Sequence, residues 1–461
     1  MNDALPRSTG EYSRAPLPTD PLRTLFVHQN FPGQFGHLSR MLSQTAGSDV
    51  LALCDARRLK RQPEVTGVRR LGYSMPANTP ALQNGHAFLR PFEQALLRGR
   101  TVEQAASRLR STGFKPDLIV VHPGWGEGLF LRDAFPDARM VGYFEYYYRA
   151  AGSDVGFDPE FSRFDDNTPL RVRARNAQLL LSMESCDRGI APTRWQQRQL
   201  PAAFQALTDV IHDGIDTRRI RPRPGAYVTL RKAGIRLTGA DEVITFVSRN
   251  LEPYRGFHVF MRILPELLKR RPNAHVLIIG GDDVSYSPRP RQHPSYRVQM
   301  LAEVGKRLDF SRVHFVGRVP NSTYLDALAV STAHVYLTYP FVLSWSCLEA
   351  MASGCLVVGS RTPPVEEVIT DGVNGLLVDF FDQHALVEAI VRAVEDRQAM
   401  RDLRIAARQT IVDRYDLERV ALPAQLALIQ LVMKKSSPPS TVPGATLPNT
   451  TPAAPPAPSA S

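Results

Sequence analysis

The chain is predicted to fold as two facing α/β domains, each built on a parallel, doubly wound sheet. Three observations predict this. Short apolar, β-branched runs alternate with helical spacing about every thirty to forty residues, the interval of a βαβ unit. The alternation stops over 217–240, a stretch rich in Arg, Pro and Gly, and restarts at Val243. The 461 residues hold two ordinary domains with tails, and a 43% hydrophobic share supplies both cores without unusual help.

Taken in order, residues 1–21 mix Pro, Ser, Asp and Arg without periodicity and read as a disordered lead. The first domain is assigned to 22–222. Its first strand is Thr24-Leu25-Phe26-Val27, followed by HQNFPGQFGHLSRMLSQ. There Gly33 occupies the turn, where a residue without Cβ lets backbone approach a ligand, and Phe35, Leu38, Met41 and Leu42 make the apolar face of a helix. Val50-Leu51-Ala52-Leu53 is the next strand, then a basic loop, then helical spacing from Gln83 to Arg110. Leu118-Ile119-Val120-Val121 ends at His122-Pro123-Gly124-Trp125, and Met140-Val141-Gly142-Tyr143-Phe144 ends at Glu145 and three tyrosines. Arg188-Gly189-Ile190-Ala191 and the run Val210 to Asp216 close this half.

The second domain is assigned to 223–415, with 217–240 read as the connection. Strands are expected at Val243 to Val247, Val276 to Gly281, Val313 to Gly317, Val335 to Leu337 and Leu356 to Val358, with helices over 386–412. A final apolar helix in 416–435 is expected to pack back across the domains. Residues 436–461 are Pro-rich and polar, a low-complexity tail unable to bury a core.

A net charge of +11 favours anionic partners, among them nucleotides, acidic glycans and anionic surfaces. No zinc-knuckle spacing, aromatic RNA-binding run or long Lys/Arg block accompanies it, so no nucleic-acid partner is expected. Peripheral membrane contact is left open. Four cysteines, at 54, 186, 347 and 355, have no metal-ligand spacing. Together with the lack of a signal sequence or membrane-length apolar run, they place the protein in the reducing cytoplasm.

The chemistry concentrates in Val335 to Ser360, VYLTYPFVLSWSCLEAMASGCLVVGS. A strand, a loop, a helix starting near Ser346 and closing at Gly354, and a second strand follow one another. The loop lies at the carboxyl end of a strand, where open α/β sheets bind ligands. The helix start, with Ser344 and Ser346, offers free N–H groups to an anion. Glu349 fits two readings: the acid of a capping box with Ser346, or a carboxylate accepting from two vicinal hydroxyls of a ribose. A second constellation, Ser248-Arg249-Asn250-Leu251-Glu252-Pro253-Tyr254-Arg255-Gly256, sets two guanidiniums on a strand-end turn, where forks suited to phosphate oxygens are useful.

LEAMASG with LVV, Pro363, Glu366 and the turn Asp371-Gly372-Val373-Asn374-Gly375 resembles the nucleotide-binding end of family 4 of the retaining glycosyltransferases. Ile211-His212-Asp213-Gly214-Ile215-Asp216 is similar to that family's end-of-first-domain signature, and the likeness covers most of the ordered chain. The resemblance implies a GT-B fold: two facing Rossmann-like domains, with the nucleotide site in the C-terminal one. It implies that Glu349, second of a Glu-x7-Glu pair, holds the donor ribose. The first position falls on Phe341, so that acid is missing. Arg249 and Arg255, the latter replacing a Lys, would take the diphosphate. Arg318, Val319 and Tyr324 would border the base, and Gly33, Ser344 and Ser346 would complete the donor site. Glu145 or His122 would stand beside the donor sugar.

The implied activity is transfer of a sugar, with retention, from a nucleotide diphosphate sugar to a hydroxyl of a glycan, lipid-linked or small-molecule acceptor. No cofactor or metal is implied, since two cations can neutralise the diphosphate and no Asp-x-Asp motif is present. The Asp282-Asp283 pair reads as a strand-end turn. Two other functions fit the same residues: a nucleotide-sugar-binding protein without activity, and a nucleotide-sugar epimerase. No oligomeric state follows from the sequence.

Overall fold

The computed structural model of the chain describes residues 20–76, 86–231 and 233–434. The lead and tail assigned to 1–21 and 436–461 lie outside the described residues, apart from residues 20 and 21. Two parallel sheets carry the structure, as the alternation predicts. The first has seven strands: β1 (Arg23–Val27), β2 (Asp49–Asp55), β3 (Val68–Tyr73), β4 (Leu118–Val121), β5 (Arg139–Tyr143), β6 (Arg188–Ala191) and β7 (Thr208–Val210). They lie in the order β3-β2-β1-β4-β5-β6-β7. β1 and β4 are buried along nearly their whole length because helices cover both faces of a parallel sheet.

The second sheet follows the hairpin β8 (Tyr227–Leu230) and β9 (Ile235–Thr238). Its strands are β10 (Val243–Asn250), β11 (His275–Gly281), β12 (Val313–Gly317), β13 (Ala333–Tyr336), β14 (Leu356–Ser360) and β15 (Leu376–Val378). The order is β12-β11-β10-β13-β14-β15. Chain direction reverses its winding between β1 and β4 in the first sheet and between β10 and β13 in the second. These are the two switch points, where a crevice opens at the carboxyl ends of the strands.

Several elements differ from expectation. The stretch 217–240 holds the hairpin rather than only a connection. Val228 and Leu237 of that hairpin are buried against Leu277, Ile279 and Val330. Its strands are too short for their alternation to stand out between Pro and Gly. Where the sequence suggests only a basic loop, β3 is an edge strand with Arg69 and Arg70, so only Tyr73 is fully buried. The helix foreseen over 83–110 runs Arg90–Ser111, and residues 77–85 lie outside the described residues.

Two crossings tie the domains together. Ile215 N–H donates to Tyr415 O at 2.8 Å and Leu417 N–H to Ile215 O at 2.9 Å, which sets the outgoing and returning chains side by side. The helix Leu422–Lys434 then lays Leu426, Ile429 and Val432 into the first domain's core beside Phe26 and Val141. In the opposite direction, the segment after β5 crosses over: residues 147–149 stay on the first domain, with Tyr147 against Leu179 and Met183, while Tyr146 and residues 154–161 embed in the second. Tyr146 donates to Pro340 O at 3.1 Å and to Asp154 Oδ1 at 2.8 Å, and Tyr254 donates to Asp154 Oδ2 at 2.8 Å. Asp158 Oδ2 accepts from Tyr339 at 2.6 Å and lies 3.1 Å from His258 Nε2. Phe157 packs on Tyr339 and Phe380, and Phe161 on His258. Asp154 and Asp158 are buried, and their hydrogen bonds are what make that burial tolerable.

Candidate active site

The residues singled out from the sequence gather at the two switch points, facing each other across the cleft. On the first-domain side, β1 ends at His28 and β4 at His122, both buried. Gly124 N–H donates to His122 Nδ1 at 3.2 Å, which leaves the proton of the neutral ring on Nε2. That nitrogen lies 3.4 Å from Glu145 Oε2 and has no other partner among the described residues. Asn30 N–H donates to His28 Nδ1 at 2.8 Å, so His28 Nε2 donates to Gln34 Oε1 at 2.9 Å. The Gln34 amide in turn donates to Glu145 Oε1 at 3.1 Å. Glu145 therefore faces both histidines, His122 at that ion-pair distance and His28 through Gln34. The two alternatives Glu145 and His122 are one pair.

Gly33 sits in this turn with φ +47°, and a Cβ there would lie 2.7 Å from His28 Nε2. Its lack of a side chain thus makes room for His28. Trp125 stacks on His122 with ring centroids 4.6 Å apart and is partly exposed. Burial, with the neighbouring His122, pushes the His28 pKa down to about 3. Burial alone would raise the Glu145 carboxyl, but His122, His28 and Arg249 outweigh it and hold the pKa below the ordinary value.

That influence of Arg249 crosses the cleft. β10 shifts register against β11 between Val247 and Asn250, and Arg249 in that irregularity is exposed, with no hydrogen bond or ion pair among the described residues. Arg255 is different. It is buried, and its Nη1 donates to Tyr336 OH at 3.2 Å, Thr338 Oγ1 at 2.9 Å and Val342 O at 3.0 Å. It holds the loop after β13 from beneath, and only the rest of its guanidinium is left for a ligand. Gly256 follows with φ +67°, where a Cβ would come within 2.3 Å of Leu337 Cβ, so no larger residue fits this close approach.

The helix of the central motif runs Trp345–Ala352, with Gly354 at φ +80° just past its end. Ser344, not Ser346, is its cap: the Ser344 hydroxyl accepts from Ser346 N–H at 3.4 Å. The capping box of Ser346 and Glu349 is therefore absent, because with Ser344 as the cap its third helical position is Cys347 and Glu349 lies beyond it. Glu349 Oε2 instead accepts from the Tyr324 hydroxyl at 2.7 Å. Burial raises the Glu349 pKa, with the Tyr324 bond pulling the other way. Arg318 donates to Asn250 Oδ1 at 2.8 Å and is exposed over the end of β11, next to half-buried Val319. Phe341, at the missing acid, is buried against Tyr146, Tyr254 and Tyr286. Asp282 and Asp283 pair with Arg297 and Arg289, as suits a strand-end turn.

Sequence reasoning missed His28, Gln34, Asp213 and Glu252. His28 had a visible signal, since it follows β1 as His122 follows β4. Glu252 is buried and accepts from the amides of Ser285, Tyr286 and Ser287, fixing the loop after β11. Asp213 carries no local signal, because its partners Tyr143 and Trp345 lie in different domains. Cavities of about 650 and 440 Å3 lie on the connector side, away from this cleft, so the site is identified by its residues and topology.

Two family profiles match the chain. Residues 46–220 match the glycosyl transferase family 4 group, and residues 232–410 the glycosyl transferases group 1. A D-inositol 3-phosphate glycosyltransferase of Nocardia farcinica is 27% identical over 226 residues, 48% of each chain. A phosphatidyl-myo-inositol mannosyltransferase of Mycolicibacterium smegmatis is 29% identical over 180 residues, 38% of this chain and 41% of that one. The chain thus spans about half or less of the length of these curated relatives. Among solved structures, Anabaena HepE in complex with UDP-glucose superimposes with a TM-score of 0.63 at 19% identity, over 89% of this chain and 99% of that one. Sucrose-phosphate synthase of Thermosynechococcus elongatus gives 0.64 at 16% identity, over 89% and 98%. The likeness to these structures establishes the two-domain GT-B fold.

Proposed function

Since the chain belongs to the glycosyl transferase family 4 group and, in its second half, to the glycosyl transferases group 1, we propose that it transfers a sugar from a nucleotide diphosphate sugar to a hydroxyl acceptor with retention of configuration. The observation that carries this reading is the pairing across the cleft. The Glu145–His122 pair stands on one side, and the free guanidinium of Arg249 stands opposite, close enough to lower the Glu145 pKa. The relatives act on inositol phosphate or phosphatidylinositol by their names, and HepE binds UDP-glucose, which supports a nucleotide-sugar donor and a polyhydroxylated acceptor, lipid-linked or not.

In this reading the nucleotide lies over the second sheet. Glu349, oriented by Tyr324, accepts from the ribose hydroxyls. Arg318 and Val319 border the base. The diphosphate meets Arg249 and the amides at the Ser344–Ser346 turn. As the bond to the sugar breaks, charge builds on the departing diphosphate, and Arg249 stabilises it where it develops. The acceptor attacks on the same face, and the leaving diphosphate takes its proton. Glu145, ionised at neutral pH and backed by His122 and Gln34, stabilises positive charge building on the sugar and orients its hydroxyls. Arg255 acts through the loop it holds.

The test is nucleoside diphosphate release from a panel of nucleotide sugars, with and without polyol and inositol-based acceptors, and proton NMR of the new linkage. Release that depends on the acceptor, a retained anomeric configuration, and a Glu145→Gln variant slowed about 10²–10⁴-fold support the proposal. Epimerised donor formed without acceptor, or an inverted linkage, refutes it.

A further inference from the structure

Behind the cleft, at the far end of the Trp345–Ala352 helix, a cavity of about 440 Å3 opens between the connector and the helix Arg401–Arg414. Arg223, Arg401, Arg404 and Arg408 line it, and no Asp or Glu does. Of these four, Arg223 alone pairs with a carboxylate, that of Asp326. Arg408 spends its Nη groups on the carbonyls of Thr217, Ile220 and Ala352. Arg404 donates one Nη to Thr332 O, while its Nε is buried without a partner among the described residues. Arg401 is exposed and its side chain makes no bond among the described residues.

Part of this has an ordinary structural explanation. Arg408 caps the last carbonyls of the Trp345–Ala352 helix, a favourable place for a cation. That accounts for neither Arg401 nor the orphaned Nε of Arg404. Burial, with Arg221 beside Arg408 and Arg397 beside Arg404, lowers the pKa of both guanidiniums. Four guanidiniums are thus crowded here, with Asp326 the one carboxylate paired to them among the described residues, and a bound anion offsets the excess of positive charge.

We propose that this cavity binds a phosphate-bearing anion, with its oxygens held by Arg401 and Arg404 and with Arg408 adding positive charge beside them. Guanidinium forks match phosphate oxygens in pairs, and several of them suit a multiply charged group. Ser331 and Ser353 add hydroxyls, and Pro222, Ala329 and Ile405 form an apolar wall for the organic part of the ligand. The site is separate from the donor cleft. The eight-residue helix between them, about 12 Å long, starts at the donor loop and ends at Ala352, just before Ser353 and Gly354 on the cavity rim. Since Arg408 also grips Ala352 O, an occupant bears directly on the end of that helix. A free phosphorylated metabolite and a phospholipid headgroup present the same oxyanion.

The experiment titrates inorganic pyrophosphate calorimetrically into the full chain carrying Arg249→Ala, which weakens diphosphate binding in the cleft. The expected result is saturable binding of one equivalent, weakened about tenfold or more when Arg401→Glu is added, at matched ionic strength. Arg401 is exposed and unbonded, so melting should be unchanged, and Arg401→Ala provides a milder second variant. A parallel arm sediments the protein with phosphatidylglycerol or phosphatidylcholine vesicles. Arg401-dependent sedimentation with phosphatidylglycerol, without pyrophosphate heats, supports the site and assigns its phosphate to a lipid. Pyrophosphate and vesicle binding that are both absent, or both indifferent to Arg401, overturn the proposal. Failure of the donor-site reading would show separately, as wild-type protein that does not bind nucleoside diphosphates while Arg401-dependent pyrophosphate binding persists.

Discussion

Trp345 Nε1 donates to Asp213 Oδ2 at 2.7 Å, bonding the first residue of the donor-loop helix to the segment that closes the first domain. Tyr143 at the end of β5 donates to the other oxygen at 2.6 Å. The carboxylate is buried between the domains, and burial lifts its pKa to about 7 against the pull of both donors.

A pH dependence follows from Asp213. An unfolded aspartate loses its proton near pH 3.9, roughly, whereas Asp213 in the fold keeps it to about 7. The native state therefore holds the extra proton between these values, and this contribution to stability, complete below about pH 4, is lost as pH rises through about 7. The slope reaches about 1.4 kcal/mol per pH unit at its steepest. Asp213→Asn should flatten it. Urea melts of both proteins from pH 4 to pH 8 check this, and parallel curves would count against it.

Asp158 should behave with the opposite sign. Burial pushes its carboxyl up, but His258 and Tyr339 outweigh that and leave the pKa lowered. Its stabilisation is present above the unfolded aspartate value and lost as pH falls through the lower folded one. Asp158→Ala leaves the Tyr339 hydroxyl and His258 Nε2 buried without this acceptor, a cost of about 2–4 kcal/mol at neutral pH by denaturant unfolding. A variant as stable as the parent would mean that residues 154–161 are held by their aromatic contacts alone.

Arg249 and Arg255 should separate in mutagenesis. Arg249→Ala removes an exposed, unbonded side chain, so melting stays the same while kcat/KM falls by about 2–4 kcal/mol in transition-state terms. Arg255→Ala strips three acceptors, two of them buried, of their donor and lowers stability by a similar amount, about 2–4 kcal/mol. Identical melting temperatures for the two variants would contradict this division of roles.

Glu349→Gln keeps an acceptor for the Tyr324 hydroxyl, so its melting temperature should stay close to the parent value. It removes the charge that a ribose diol prefers, and nucleoside diphosphate affinity should drop about tenfold. Calorimetric titration of UDP and GDP into both proteins decides the matter. Unaltered affinity would leave Glu349 as a support for Tyr324 only.

The alternation of strands and helices was legible because a parallel sheet covered on both faces demands apolar runs, and β1, β4, β10, β11 and β14 are such runs. β3 and the β8–β9 hairpin escaped notice because an edge or a short hairpin needs only alternate residues buried. The donor side was legible for the same local reason, since Arg249, Glu349 and the loop between β13 and β14 lie on contiguous strand–loop–helix units. Ser346 was misread as the cap because two serines flank Trp345 and only backbone geometry chooses between them. What stayed hidden joins distant parts of the chain: Gln34 with Glu145, Asp213 with Trp345, Asp158 with Tyr339. No sequence spacing encodes these contacts.

The exchange of segments between the domains also limits how this chain can be cut and recombined. Residues 154–161 belong by sequence to the first half and by packing to the second, and the Leu422–Lys434 helix does the reverse. A crossover at the connector would pair aromatic side chains from one parent with a receiving surface from another. Working hybrids with related chains should therefore inherit 154–161 together with the second half, and the last helix together with the first. Specificity can then be shuffled at three seams, near 153, near 162 and near 421, and not at the single joint that the connector suggests.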